Sequence, residues 1–298
     1  MRKKGWCCFM KINPVYKQET KVSARSFRFP LVIFLFNCIL ALVALLDMYS
    51  MITQVKRTAE IQYSSFLSLY IFVATVEFTL LLFLVPAITA GTISGERERQ
   101  TLDLMLTTSM SPTDIVLGKL LASLSTVLLL IVSSFPIIAL VFIYGGVMVK
   151  DIALLLLCYG MTALLTGSIG IFCSSSFKKT TIATVVSYCL TAALVIGTVA
   201  VNHLASLLLR VTAVQGGRGS GNFFYLLLLN PASTFRTVLN SQIGSQAMLE
   251  NFFPWLLYKP ESLIIEHWFI AGLGVQFALS VLFLRLAVEK VKPCKRMR

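Results

Sequence analysis

Apolar residues gather in six runs along this chain, at about 30–51, 64–92, 119–147, 152–174, 181–208 and 263–286. Each is long enough for a helix of about 20 mainly apolar residues, the length that crosses a bilayer. Between them lie short polar connections and two longer segments, one charged (93–118) and one mixed (209–262). The pattern predicts an all-α membrane protein with one six-span transmembrane domain over 30–286. A basic segment, 1–29, precedes it and a basic tail, 287–298, follows. The first run starts too late and runs too long for a cleaved signal peptide, and it lacks a small-residue cleavage site.

The polar segments are patterned too. Asn13-Pro14 reads as an N-cap with proline at the first helical position. Lys17, Lys21, Arg25 and Arg28 then recur at helical spacing, while Val15, Val22 and Phe29 follow a seven-residue repeat. This predicts an N-terminal amphipathic helix lying on the anionic inner leaflet, preferred here over a disordered basic arm. Pro30 then turns the chain into the first span. In the long connection before the last span, flexible QGGRGSGN (215–222) leads into FFYLLLLNPASTFRTVLN (223–240) and then NFFPWLLYKP (251–260). FFYLLLL is too short to cross and too apolar for a surface loop, and Asn230-Pro231 reads as a turn or a fresh helix start. Short hydrophobic helices re-entering from outside, their ends covered by protein, satisfy both facts. Trp255 and Trp268 suit the headgroup boundary.

The charged segment ISGERERQTLDLMLTTSMSPTDIVLGK (93–119) lies between two long apolar runs, 64–92 and 119–147. Glu96 and Arg99 are spaced to pair on a helix. Leu102, Met105 and Leu106 fall on one face of a short helix, with Asp103 displaced from it. Ser111-Pro112-Thr113-Asp114 is a second helix start, with an acid near its positive end. An exposed apolar face flanked by charges suits a docking surface. It suits equally a connector lying on lipid headgroups, and periodicity alone does not choose between them.

Charge sharpens the picture. Only 13% of the 298 residues are charged, 57% are hydrophobic, and the net charge is +13. Soluble domains carry about 25% charged residues, so the chain is expected in membrane rather than water. Nineteen of its 26 lysines and arginines fall on one side if both termini face the cytoplasm; the other side holds Lys56, Arg57, Lys150, Arg210, Arg218, Arg236 and Lys259. That asymmetry predicts an N-in, C-in orientation and argues against nucleic-acid binding.

Chemistry narrows the function by what is missing. Two histidines, His203 and His267, cannot build a multi-imidazole metal centre, and the seven cysteines form no spaced metal or disulfide pattern. Cys7 and Cys8, beside basic residues, are read as free thiols rather than lipidation sites. There is no phosphate loop, no HExxH and no GxSxG, and no internal repeat of the secondary-transporter kind. One ionisable residue, Glu77, falls midway along the second run. An intramembrane carboxylate is costly and often functional: it is a candidate for a transport path, a proton acceptor, or a hydrogen-bonding group between helices. Asp47, near the outer end of its run, is read as structural.

The order of these features resembles the ABC-2 type permeases, the membrane subunits of one class of ATP-binding-cassette exporters. The likeness lies in NPVYKQE with its basic lead-in, and most sharply in SGERERQTLDLMLTTSMSPTDIVLGKLL; six spans and a hydrophobic outer segment before the last one agree. The resemblance implies a coupling helix after the second span, seated in a cleft of a separate ABC ATPase subunit. Carried over by position, Glu96, Arg97, Glu98, Arg99, Thr101, Leu102, Met105 and Leu106 would make that contact. It also implies two permeases and two ATPases per transporter, the second permease being identical or related. ATP and Mg would act in the partner chain, with no cofactor and no catalysis in this one. The cell membrane, in bacteria the cytoplasmic membrane, is the expected location. The alternative is an ion-coupled transporter or channel built on Glu77; a membrane enzyme or scaffold is disfavoured by the missing catalytic sets.

Overall fold

The computed structural model describes residues 14–58, 63–101, 111–145, 148–213, 222–243 and 267–291. Among them every regular element is helical. Helix α1 spans Pro14–Arg25, α2 Arg28–Thr58, α3 Tyr63–Thr89, α4 Ser94–Glu98 and α5 Pro112–Gly145. Next come α6 (Val149–Ser176) and α7 (Thr180–Ala192), which continues through a π-helical turn, Ala193–Gly197, into α8 (Thr198–Ala213). A 3-10 segment, Asn222–Leu229, precedes α9 (Pro231–Ile243), and α10 covers Trp268–Val291. Six helical stretches are long and apolar enough to cross a membrane, in the order that the six apolar runs predict.

Three helices start at prolines, where the missing N–H costs nothing. At α5 the cap is explicit: Ser111 Oγ accepts the Asp114 N–H at 3.2 Å. At α9, Asn230 Oδ1 accepts the Ala232 N–H at 2.8 Å. Helix α5 thus begins seven residues before the apolar run does, because its cap, not its hydrophobicity, sets its start. Helix α10 continues past residue 286 to Val291, since Ala287 and Val291 are buried against Ile93, Val116 and Ile171. Helix α2 likewise runs on to Thr58, beyond its apolar span Phe29–Ser50, near whose end Asp47 lies.

The bundle is organised around α6, which packs against α10, α3, α7, α9 and α5. Of its apolar stretch 61% is buried, against 11% for α2, which lies outside α3 and α5 and exposes Phe34, Leu35, Leu42, Leu45 and Leu46. Such a stripe is tolerable against lipid and not against water. Close approach of α3 to α6 depends on Gly170: a Cβ there would overlap the Thr89 side chain. Small residues at such crossings let backbones come together.

The 3-10 segment and α9 form a short pair, the first packed on α8 and α10 and the second on α6 and α10. At their junction Asn230 Nδ2 donates to Val195 O at 2.9 Å and to Thr198 Oγ1 at 2.8 Å. The first acceptor lies in the π-helical turn, where the displaced ladder leaves carbonyls in need of donors. Phe235 of α9 stacks on Phe78 of α3 with ring centroids 4.3 Å apart. At the far end of α9, Gln242 accepts from Tyr70 Oη and donates to Asp151 O, both at 2.8 Å. Trp268, the first residue of the last apolar span, is buried against Leu227 and Leu228; Trp255 lies outside the described residues. One expectation changes here. Val15, Val22 and Phe29 do not form one seam, because α1 breaks at Ser26-Phe27 and only Val15 of the three is buried.

Candidate functional site

The end of the bundle around α4 gathers most of the charges singled out in the sequence. After Thr89 the chain makes a turn, 90–93, and restarts as α4. A helix start leaves backbone N–H groups without intrahelical acceptors, and here Ile93 and Ser94 are both fully buried. Ser174, two residues before the end of α6, supplies the acceptor: its Oγ takes the Ile93 N–H at 2.8 Å and the Ser94 N–H at 2.9 Å. Helix α4 ends as deliberately. Gln100 has φ 59°, Thr101 N–H bonds to Glu96 O at 2.9 Å, and Gln100 N–H bonds to Arg97 O at 3.1 Å. That pair of bonds is the Schellman cap, which usually takes glycine at its left-handed position. The direction in which the chain leaves toward 102 is therefore fixed.

The charges are tied down within the chain. Glu96 Oε1 lies 2.6 Å from Lys119 Nζ, and the same nitrogen lies 2.7 Å from Glu19 Oε1 on α1. The Lys119 side chain is 1% exposed, whereas those of Glu96 and Glu19 keep 20% and 33%. A buried ammonium without counter-charge is costly; two carboxylates at the rim supply it. Glu98 Oε2 accepts the Thr180 hydroxyl at 2.9 Å, at the first turn of α7, where the helix dipole favours an acid. Helix α4 is thus fixed to α5 and α1 through Lys119, to α6 through Ser174, and to α7 through Glu98.

Glu96 pairs with Lys119, not with Arg99 as its spacing allows; Arg99 is exposed. Arg97 is half-buried, Thr101 is exposed, and among the described residues neither Arg97 nor Arg99 makes an ion pair. Leu102, Met105 and Leu106 lie outside the described residues. Sequence reasoning missed Lys119, Ser174, Thr180 and Glu19. For Lys119 a signal existed: it lies four residues after Ile115 and three after Val116, on the buried face of α5.

Glu77 sits apart, fully buried midway along α3. Ser134 of α5 donates to its Oε1 and also to Ile131 O at 2.8 Å. One turn earlier, Tyr159 of α6 donates to Ala74 O at 2.8 Å. Glu77 Oε2 has no hydrogen-bond partner among the described residues. No group of three His, Cys, Asp or Glu side chains among those residues can hold a metal.

Six long apolar helices with α6 at their centre, an apolar outer face and a helical loop tied into four neighbouring helices define a multi-pass membrane protein. The profile of the ABC-2 family transporter proteins matches residues 13–286, and the chain belongs to that family. It is therefore the permease component of an ABC transporter, a transport part and not a catalytic one; permeases of this family work with an ABC ATPase. A search of curated proteins returns no match.

Proposed function

We propose that this chain lines the translocation path of an ABC exporter and receives its driving force from a separate ATPase at the α4 loop. Both termini face the cytoplasm, and two copies, or this chain and a related one, pair with two ATPases. The observation that carries the reading is the fixing of α4 to four helices: a loop so held passes a rigid-body displacement to the spans instead of absorbing it. Leu102, Met105 and Leu106 supply the apolar side of the contact, and Arg97, Arg99 and Thr101 its polar rim. ATP and Mg act in the partner.

The test is purification in mild detergent followed by assay for a Walker-motif ATPase. Wild type retains it, whereas a Leu102→Asp, Leu106→Asp variant inserts in the membrane and loses it. Equal retention by both refutes the docking assignment, and an absent ATPase in wild type refutes the coupling itself.

Glu77 we read as a bond between α3 and α5 within one chain, since it is sealed from the bundle surface. The competing reading, an ion path through Glu77, predicts that Glu77→Gln abolishes transport without altering assembly. On the structural reading Gln keeps the Ser134 contact, and both properties survive.

A further inference from the structure

The ion cluster at Lys119 joins segments that are distant in sequence. Glu19 lies 100 residues before Lys119 and Glu96 lies 23 before it, yet both carboxylates close on one ammonium. Helix α1 lies along α5. Among its described side chains Val15 alone is buried, while Lys17, Lys21, Val22 and Arg25 are exposed. The one fully buried side chain sits at the N-terminal end, while Tyr16, Thr20 and Ser23 are half-buried along the helix. The ion pair, one turn further on, fixes it.

We propose that Lys119 is a positioning residue that makes α1 and the α4 loop one mechanical unit, so that displacement of the loop carries the N-terminal helix with it. This rests on the reading that the loop receives the ATPase. The chemistry favours a lock over a loose contact. The two acids are like charges that meet across the ammonium between them; without it they repel, which favours release of α1 over mere loosening. Lys119 itself cannot swing out to solvent, because its aliphatic stem is enclosed at the first turns of α5. Helix α4 in turn cannot rotate away alone, being held by Ser174 and by the Glu98–Thr180 contact. A push on the loop therefore reaches α1 through a charged joint, and the spans through hydrogen bonds.

Amide hydrogen exchange on the purified full chain tests the lock. Lys119→Met is expected to speed exchange across residues 15–25 by tenfold or more while leaving α6 protected, which excludes global misfolding. Lys119→Arg is expected to keep α1 protected, and Lys119→Glu, which sets a carboxylate against Glu19, to speed its exchange at least as much as Lys119→Met. Unchanged α1 exchange in Lys119→Met, with α6 intact, overturns the lock. The transmission is then read in the assembled transporter trapped with ATP and vanadate. Wild type should show altered α1 exchange on trapping, and Lys119→Met should bind its ATPase yet lose that response. A response that persists overturns the transmission. If wild type carries no ATPase, the coupling assignment fails on that ground, while the exchange experiment on the permease still decides whether Lys119 holds α1.

Discussion

Replacing Ser174 with alanine isolates the anchoring of α4 to α6. The hydroxyl accepts two backbone N–H groups, of Ile93 and Ser94, at 2.8 and 2.9 Å, and both residues are fully buried. A buried donor stripped of its acceptor costs about 1–3 kcal/mol, so two would cost roughly 2–6 if nothing moved. The 90–93 turn is short and can shift to re-pair one donor, which brings the expected loss to about 2–4 kcal/mol. Side-chain hydrogen bonds between membrane helices average only about 0.6 kcal/mol, so this contact should stand well above that background. The control is Ser175→Ala. Ser175 is equally buried, but its hydroxyl donates only to Phe172 O of its own helix at 2.8 Å, and its loss should cost less than about 1 kcal/mol. Unfolding in graded SDS-containing micelles measures both, with hydrogen exchange over 93–101 showing where the loss falls. Equal destabilisation by the two variants, or unchanged exchange over 93–101, refutes the account of Ser174 as the anchor.

Other changes probe other joints. Asn230→Ala removes the donor to Val195 O and Thr198 Oγ1 and the α9 cap; it should destabilise by about 2–4 kcal/mol in the same micelle titration. Gly170→Ala presses a methyl group into the Thr89 hydroxyl at the α3–α6 crossing and should cost about 1–3 kcal/mol, part of which Thr89→Ala, lacking that oxygen, relieves in a double-mutant cycle. Gln100→Gly relieves a left-handed backbone at φ 59°; it should stabilise the loop by up to about 1 kcal/mol, seen as slower exchange at Thr101.

Much of this architecture was legible before any coordinates. Run length alone placed the six spans, because a bilayer demands about 20 apolar residues whatever the neighbours are. Asn-Pro and Ser-Pro pairs placed the starts of α1, α5 and α9, since capping is local chemistry. What stayed hidden depends on contacts distant in sequence. Nothing near Ser174 announces that it caps a helix 80 residues earlier. Lys119 looked like the end of a polar loop, and only the packing of α1 and α4 makes it a buried hub. Glu96 had a partner at the right spacing in Arg99 and took another, because a desolvated lysine binds a carboxylate more strongly than an exposed arginine does. The Val15, Val22, Phe29 repeat misled because periodicity assumes an unbroken helix, and the chain breaks at Ser26-Phe27.

The π-helical turn in the fifth span has a geometric consequence. An α-helix advances about 100° of azimuth per residue, and a π turn inserts roughly one residue into that count. Helices α7 and α8 are therefore out of phase by about a quarter of a revolution. The first half meets α3, α4 and α6, whereas the second meets the 3-10 segment. Deleting one residue between Ala193 and Gly197 would bring the halves back into phase and turn the α8 face away from Asn230. Thr198 and Asn202, both nearly buried, would then swing toward whatever lies outside the bundle.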